Sequence, residues 1–171
     1  QENEALAQVE LAAWLVEQLE DDVFWLMGSG STVAEVMAQL GLPNTLLGVD
    51  VIRSGKLVAA DVSAKQILEL IGDAPAKALI TVIGGQGHLL GRGNQQLSPA
   101  VIRRLGRENI VVAATRSKLA ALNGRPLLVD SGDAELDRQL CGLIPVITGY
   151  DDVLLVRLAT DAGVGEREAG K

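Results

Sequence analysis

The sequence feature that most constrains the fold is a repeated alternation of short aliphatic runs with segments of helical periodicity. Aliphatic runs that end in glycine or small polar residues occupy residues 23–28, 77–85, 109–115 and 125–131. Hydrophobic residues make up 48% of the chain and aromatic residues only 2%, so a core must be built from Leu, Val, Ile and Ala. Branched aliphatic runs are typical of strands buried on both faces. The pattern predicts an α/β fold, a mostly parallel sheet flanked by helices in α/β/α layers.

The length of 171 residues suits one domain with a sizeable core. We predict a single α/β domain over residues 1–160 and a flexible polar tail over residues 161–171. Two apolar runs that flank Ser54-Gly55 predict a β-hairpin near residues 46–62. The chain opens at Gln1 in a segment with a helical pattern, and we interpret residues 1–160 as the C-terminal domain of a longer chain.

Charge and cysteine content exclude several classes of partner. The formal net charge is −7, whereas nucleic-acid surfaces need clustered Lys and Arg, so no nucleic-acid partner is predicted. No apolar run reaches 18 residues, so no membrane partner is predicted. The single cysteine, Cys141, argues against a disulfide or a cysteine metal site and is interpreted as a core residue. These features predict a cytoplasmic chain without a metal site.

A first candidate site is the stretch MGSGST, where a predicted strand runs into a predicted helix. Glycines permit close approach of a ligand to the backbone, and a helix N-terminus offers free N–H groups to an anion. A phosphate or carboxylate cradle and a plain strand-to-helix turn remain equal alternatives. The candidate phosphate-binding residues are Gly28, Ser29, Gly30, Ser31 and Thr32.

A second candidate is GGQGHLLGRGNQQ, residues 84–96. Its spacing fits neither a dinucleotide fingerprint nor a Walker loop. Because glycines outside required conformations cost stability, we favour a loop that folds tightly around a ligand or a partner chain, with a structural turn as the alternative. The candidate nucleotide-binding residues are Gly84, Gly85, Gln86, Gly87, Arg92, Gly93, Asn94 and Gln95, with Arg92 the favoured anion contact. His88 is a further candidate, with a structural role as its alternative.

Weaker candidates follow later strands. Arg116 and Lys118 come after the run 109–115, where a solvated helix start is an equal alternative. Asp130 and Asp133 could hold magnesium or a ribose hydroxyl, although Asp133 is more simply a helix cap.

Several segments of the sequence resemble a known protein family. The segments GVDVIRSGKLVAADV, TVIGGQGHLLGRGNQQLSPAVIRRLG, RPLLVDSGDAELDRQL and TGYDDVLLVRL resemble the C-terminal part of ATP-NAD kinase-like proteins of the acetoin-catabolism X type. The resemblance extends from about Leu6 to Leu158, and the spaced pattern GGQG, GRGNQQ and SP is its most specific part.

The resemblance implies a phosphotransferase that uses ATP, NAD and Mg²⁺ to make NADP. The family's kinase motif, Gly-Gly-Asp-Gly-Thr, belongs to an N-terminal domain, and in the similar stretch here Gln86 replaces the acidic residue. Glutamine supplies no carboxylate base. The implied role is therefore to complete a nucleotide site with a missing N-terminal kinase domain and to form a homo-oligomer, with no turnover by this chain alone.

Two other functions remain open. A sugar-phosphate isomerase-like or sensor module would use the GSGST turn, with Asp50 or Asp61 as the available carboxylate base. A non-catalytic oligomerisation domain would bury the glycine-rich segment in a symmetric interface.

Overall fold

The computed structural model describes residues 2–91 and 95–160. The helices are α1 (Glu2–Gln18), α2 (Ser31–Gln39), α3 (Ala64–Ile71), α4 (Pro99–Leu105), α5 (Arg116–Ala120) and α6 (Ala134–Leu140), with a 3₁₀ turn at Arg107–Asn109. The strands are β1 (Phe24–Met27), β2 (Asp50–Arg53), β3 (Lys56–Ala59), β4 (Ala76–Thr81), β5 (His88–Gly91), β6 (Ile110–Ala113), β7 (Leu127–Asp130), β8 (Gly142–Gly149) and β9 (Asp152–Thr160).

The described strands form one nine-stranded sheet in the order β3-β2-β1-β4-β6-β8-β9-β7-β5. Strands β1, β4, β6 and β8 are mutually parallel, and β9, β7 and β5 form a second parallel group. The two groups run in opposite directions because β8 and β9 pair antiparallel. The predicted α/β fold with a mostly parallel sheet is confirmed.

The sheet folds back on itself at the turn between β4 and β5. The Ile83 N–H donates to the carbonyl of His88 at 2.7 Å, and the two residues form an antiparallel bridge. This single bridge links the start of β5 to the extension of β4, so β4, β6, β8, β9, β7 and β5 curl into a ring of six strands that is joined there at one residue pair. Strands β1 to β3 extend from β4 outside the ring.

Helices cover both faces of the sheet beside β1. Successive residues of a strand point to opposite faces. Trp25 and Met27 pack with residues of α1 and α2, whereas Phe24 and Leu26 belong to the apolar cluster that includes α3 and α4. The buried side chains on both faces explain why the strand reads as a continuous apolar run, and they give the predicted α/β/α layers.

Short-range sequence signals are confirmed at the helix starts. Ser63 caps α3 in a capping box with Gln66, and Ser98 caps α4 with Pro99 in the first helical position. The predicted hairpin near residues 46–62 is formed by β2 and β3 around Ser54 and Gly55. Both turn residues have positive φ, 50° and 75°, as a tight two-residue hairpin requires.

The prediction of one loop over residues 84–96 is wrong in part. The loop is only a four-residue turn, Gly84–Gly87, and the chain then enters β5. His88, Leu89 and Leu90 are buried, and β5 pairs in parallel with β7. The two leucines enter the core, and burial of leucine side chains is more favourable than leaving them on a loop.

Candidate functional site

Two of the predicted glycine-rich segments lie on the same edge of the sheet. β1 and β4 are adjacent and parallel, and the Gly28 N–H donates to the carbonyl of Leu79 at 2.9 Å. Residues 28–32 therefore follow β1, and residues 84–87 follow β4, at the edge where both strands end. We name these two segments together the glycine edge. In open α/β sheets, ligands bind beyond the carboxyl ends of the strands.

The 28–32 turn is tightly packed on its inner side. The Thr81 hydroxyl donates to the carbonyl of Ser29 at 3.1 Å, and a Cβ at Gly30 would lie only 2.6 Å from that hydroxyl oxygen. Gly30 is the N-cap residue of α2, has a φ of 121° and forms no side-chain cap. The first turn of α2 contains no acidic residue. Its N–H groups and partial positive charge suit an anion.

The Gly84–Gly87 turn is open on its outer side. Gly84 and Gly87 have φ values of 69° and 85°, which favour glycine. Gly85 has no such φ, and a Cβ there would meet no atom within 4 Å. Gly84, Gly85 and Gln86 are exposed, while His88 is buried at the start of β5. The fold therefore leaves free space above Gly85.

At the same edge of the sheet, the polar side chains that follow β6 are bound by two carboxylates of the chain itself, those of Glu4 and Asp152. The Thr115 hydroxyl donates to Glu4 at 2.8 Å, and the Ser117 hydroxyl also donates to the Glu4 carboxylate. Arg116 donates through two nitrogens to Asp152, at 2.7 and 2.9 Å. Arg116 is therefore engaged by an internal carboxylate, and Lys118 lies half-buried on α5.

The Arg116 contact lowers the pKa of Asp152 to about 2, with the Thr148 hydroxyl as the second cause. Because this pKa lies below the unfolded value, the stabilisation is present above about pH 4 and is lost as pH falls toward 2.

We expect Arg116→Gln to raise the pKa of Asp152, while Thr148 still holds it below the ordinary value. A carbon-detected NMR titration of the carboxyl measures this. Arg138→Gln, at an exposed position on α6, serves as the control and should leave the Asp152 titration unchanged. An unchanged Asp152 titration in Arg116→Gln would contradict the pairing.

Other predicted site residues lie at the opposite edge. Strands β5 and β7 run against β4, so Asp130 at the end of β7 and Asp133 just after it lie away from the glycine edge. Residues 84–87 share an edge with residues 28–32, whereas the position of Gln95 stays a prediction. Arg92, Gly93 and Asn94 lie outside the described residues.

Asp133 already has two partners and does not fit a magnesium site. The Asp133 carboxylate accepts from the Leu136 N–H at 3.0 Å and pairs with Arg103 at 2.8 Å, and these contacts lower its pKa. The predicted helix-cap role of Asp133 is confirmed. Among residues 2–91 and 95–160, no group of three or more His, Cys, Asp or Glu is placed to hold a metal ion.

Asp50 lies beside the glycine edge, opposite Met27 in the β1–β2 pair. Its side chain is 1% exposed, and its two carboxylate oxygens accept from the N–H groups of Thr45 and Asp61, each at 2.8 Å. Both oxygens are therefore engaged in holding the loops around β2. This contact explains a buried acid without a catalytic role.

Cys141 is half-buried at the end of α6, and its thiol donates to the carbonyl of Asp137 at 3.0 Å. Burial, and then the charge of Asp137, raises the pKa of this thiol. A raised pKa disfavours the thiolate and agrees with a structural cysteine.

Sequence reasoning missed the contribution of α1 to this region. Gln8 donates to the hydroxyl of Ser31 at 2.7 Å, and Glu4 accepts from two hydroxyls after β6. In the sequence these residues lie on the polar face of an amphipathic helix and carry no local signal. Their partners are 23 or more positions away, so only the tertiary fold identifies them.

The fold and the glycine edge define an α/β domain with glycine turns at the ends of two adjacent parallel strands. The chain matches the family model of the ATP-NAD kinase C-terminal domain over residues 20–158, and it belongs to that family. Neither a curated protein nor a solved structure matches the chain. None of the helices in the described part of the chain is long and apolar enough to cross a membrane.

Proposed function

We propose that this chain is the nucleotide-binding C-terminal domain of an NAD kinase-like phosphotransferase of the acetoin-catabolism X type. In this role the parent enzyme transfers a phosphoryl group from ATP to NAD, which yields ADP and NADP in the cytoplasm. The observation that carries the proposal is the family match over residues 20–158. The glycine edge supports it, because it combines backbone N–H donors with open space at the ends of β1 and β4.

The chain's own residues would bind phosphate through the backbone. The start of α2 offers N–H groups and the exposed hydroxyl of Ser31, whereas the predicted Thr32 is buried; Gly84, Gly85 and Gln86 face solvent on the neighbouring turn. A backbone site suits an acidic chain, since it needs no cluster of Lys or Arg. The Asp133 carboxylate is engaged by Leu136 and Arg103, and Gln86 supplies no carboxylate. We therefore assign the catalytic base and the metal to an N-terminal kinase domain.

Gly85 provides a test that leaves the fold intact. Because a side chain at this position meets no atom within 4 Å, Gly85→Glu is expected to unfold at the wild-type temperature. Its carboxylate would repel phosphate at the glycine edge. The measurement is a thermal-shift titration with NAD, ATP and inorganic phosphate. A ligand that binds only the folded state adds about 2.7 kcal/mol at 100 times its Kd. We expect a shift in the wild-type chain that Gly85→Glu removes.

The matched control is Gln139→Glu, which adds the same charge at an exposed position on α6. It should keep the full ligand-induced shift. A shift that survives in Gly85→Glu would contradict a site at this turn. A shift with ribose 5-phosphate alone would favour the isomerase-like function. Both Asp50 oxygens already accept backbone N–H groups, which argues against Asp50 as the base of such an enzyme.

Self-association is a second candidate role, favoured by the outer face of the β8–β9 hairpin. The residues on this face include Leu155 and Val153, which are 67% and 53% exposed. Monomeric proteins rarely expose large contiguous apolar patches. We propose a homo-oligomer in which a second copy covers this face, and light scattering of the full chain measures its mass.

A further inference from the structure

Residues of strands β4, β5, β6, β8 and β9, together with Leu140 of α6, line a half-open apolar cavity that the glycine edge does not use. Its volume is about 460 Å³. Aliphatic side chains from the ring strands form most of its wall, among them Ile80, Leu89, Leu90, Val112, Ile144 and Leu158. Ligand pockets in proteins commonly measure about 300 to 1,000 Å³ and are lined mainly by apolar side chains with a few polar groups. This cavity has both properties.

The cavity opens at the end of the ring opposite the glycine edge. Four exposed residues also line it, Arg107 and Glu108 from the 3₁₀ turn before β6 and Leu143 and Pro145 from the beginning of β8. The glycine turns follow the carboxyl ends of β1 and β4, whereas these residues precede or begin their parallel neighbours β6 and β8. A molecule in the cavity would therefore approach from a different surface than a ligand at the glycine edge.

The two charged residues at the mouth are placed differently. One nitrogen of Arg107 donates to the carbonyl of Leu143 at 3.0 Å, and a guanidinium has five N–H donors in all. This contact fixes the cation beside the first residues of β8. The Glu108 carboxylate instead folds back on its own segment, because one of its oxygens lies 3.0 Å from the position of a Cβ at Gly106. Positive charge is therefore held at the opening, while the carboxylate lies against the chain.

We propose that the ring cavity binds a small amphipathic carboxylate, with its aliphatic chain between the strands and its carboxylate at Arg107. The cavity wall recognises the chain through burial of apolar surface. Arg107 recognises the head group, since a guanidinium matches a carboxylate with paired hydrogen bonds. The proposal goes beyond the nucleotide role and does not depend on it.

The test uses the full chain with butanoate, hexanoate and octanoate as probes, followed by methyl NMR of labelled Leu, Val and Ile. We expect shifts at cavity methyl groups and a Kd that falls about fourfold for each added methylene, as burial of one CH₂ predicts. Octylamine, which has a similar tail and the opposite charge, should bind at least tenfold more weakly than octanoate.

Two mouth variants separate the head group from the tail. Arg107→Gln and Leu143→Glu change exposed positions, so both should fold and both should weaken octanoate at least tenfold. Arg138→Gln removes a cation from an exposed position on α6 and should bind as the wild type does. Octanoate that leaves the cavity methyl groups unperturbed would overturn the proposal. Equal binding of octylamine, or unchanged binding by both mouth variants, would overturn it as well.

Failure of this proposal is distinguishable from failure of the nucleotide role. NAD or phosphate should produce its thermal shift equally in Arg107→Gln and in the wild-type chain, because the two sites lie at opposite ends of the strands. Octanoate should likewise bind Gly85→Glu as tightly as the wild type.

Discussion

Replacing Gly30 with alanine is expected to lower the free energy of unfolding by about 3 kcal/mol, from backbone strain and overpacking together. The φ of 121° at Gly30 is one that residues with a Cβ rarely adopt. The added methyl group would also lie 2.6 Å from the Thr81 hydroxyl oxygen. Thr81 is buried, β-branched and bonded to the carbonyl of Ser29, so it cannot move without losing that contact. Urea unfolding followed by tryptophan fluorescence measures the change.

A double variant separates the two causes. Thr81→Ala removes the clashing oxygen, so Gly30→Ala should cost less in that background than in the wild-type chain, and the remainder reports the φ strain. Gly85→Ala is the control, and its open position predicts a change within about 0.5 kcal/mol. If Gly30→Ala were as stable as Gly85→Ala, the described packing of the 28–32 turn on Thr81 would be wrong.

The glycines of the two turns give different evidence for a bound ligand. The positive φ of Gly30 and its close contact with Thr81 are enough to require glycine at this position. Gly28 lies against the backbone, where a Cβ would be 3.1 Å from the carbonyl oxygen of Leu79. Neither needs a ligand to explain it. Gly85 has neither a glycine-favouring φ nor a neighbour. The case for a bound phosphate at the glycine edge therefore depends more on Gly85 than on the 28–32 turn, although the sequence of the 28–32 turn resembles a phosphate loop more closely.

Local chemistry made much of the fold predictable. Ser63, Ser98 and Asp133 each precede a helical pattern, and each caps a helix in the structure. The positive φ values at Ser54 and Gly55 follow from the composition of a tight hairpin turn. Such features depend on a few neighbouring residues, so the sequence carries the whole signal. Buried strands such as β1 were equally visible, because burial on both faces leaves a continuous apolar run.

Long-range pairing was not predictable in the same way. The glycines and polar residues of 84–96 suggested a loop, yet β5 forms there because Leu89 and Leu90 reach the core and pair with a strand some 40 residues later. The direction of β5 and β7 then places Asp130 at the edge opposite Gly85. Strand direction is set by the β8–β9 hairpin and the ring closure at Ile83, which are properties of the whole sheet. The split of the candidate residues between two edges follows from these contacts.

Replacing Asp50 with alanine is expected to cost about 3 kcal/mol of stability, because each hydrogen bond to a charged group contributes about 1.5 to 3 kcal/mol. The substitution removes the acceptor of two backbone N–H groups, those of Thr45 and Asp61, at a position that is 1% exposed. Urea unfolding measures the loss. Asp73→Ala removes an exposed carboxylate and should change stability by no more than about 0.5 kcal/mol.

The isosteric variant Asp50→Asn distinguishes a structural role of this carboxylate from a role as a catalytic base. An amide has one oxygen acceptor, so Asn can keep one of the two N–H contacts but places an NH₂ donor against the other. A structural acid therefore predicts a loss for Asp50→Asn of between about 1 and 3 kcal/mol, with ligand binding at the glycine edge retained. A catalytic base beside the GSGST turn predicts the reverse, a fold of wild-type stability with an altered response to sugar phosphate. Two backbone contacts at 2.8 Å on a carboxylate without solvent access favour the first outcome.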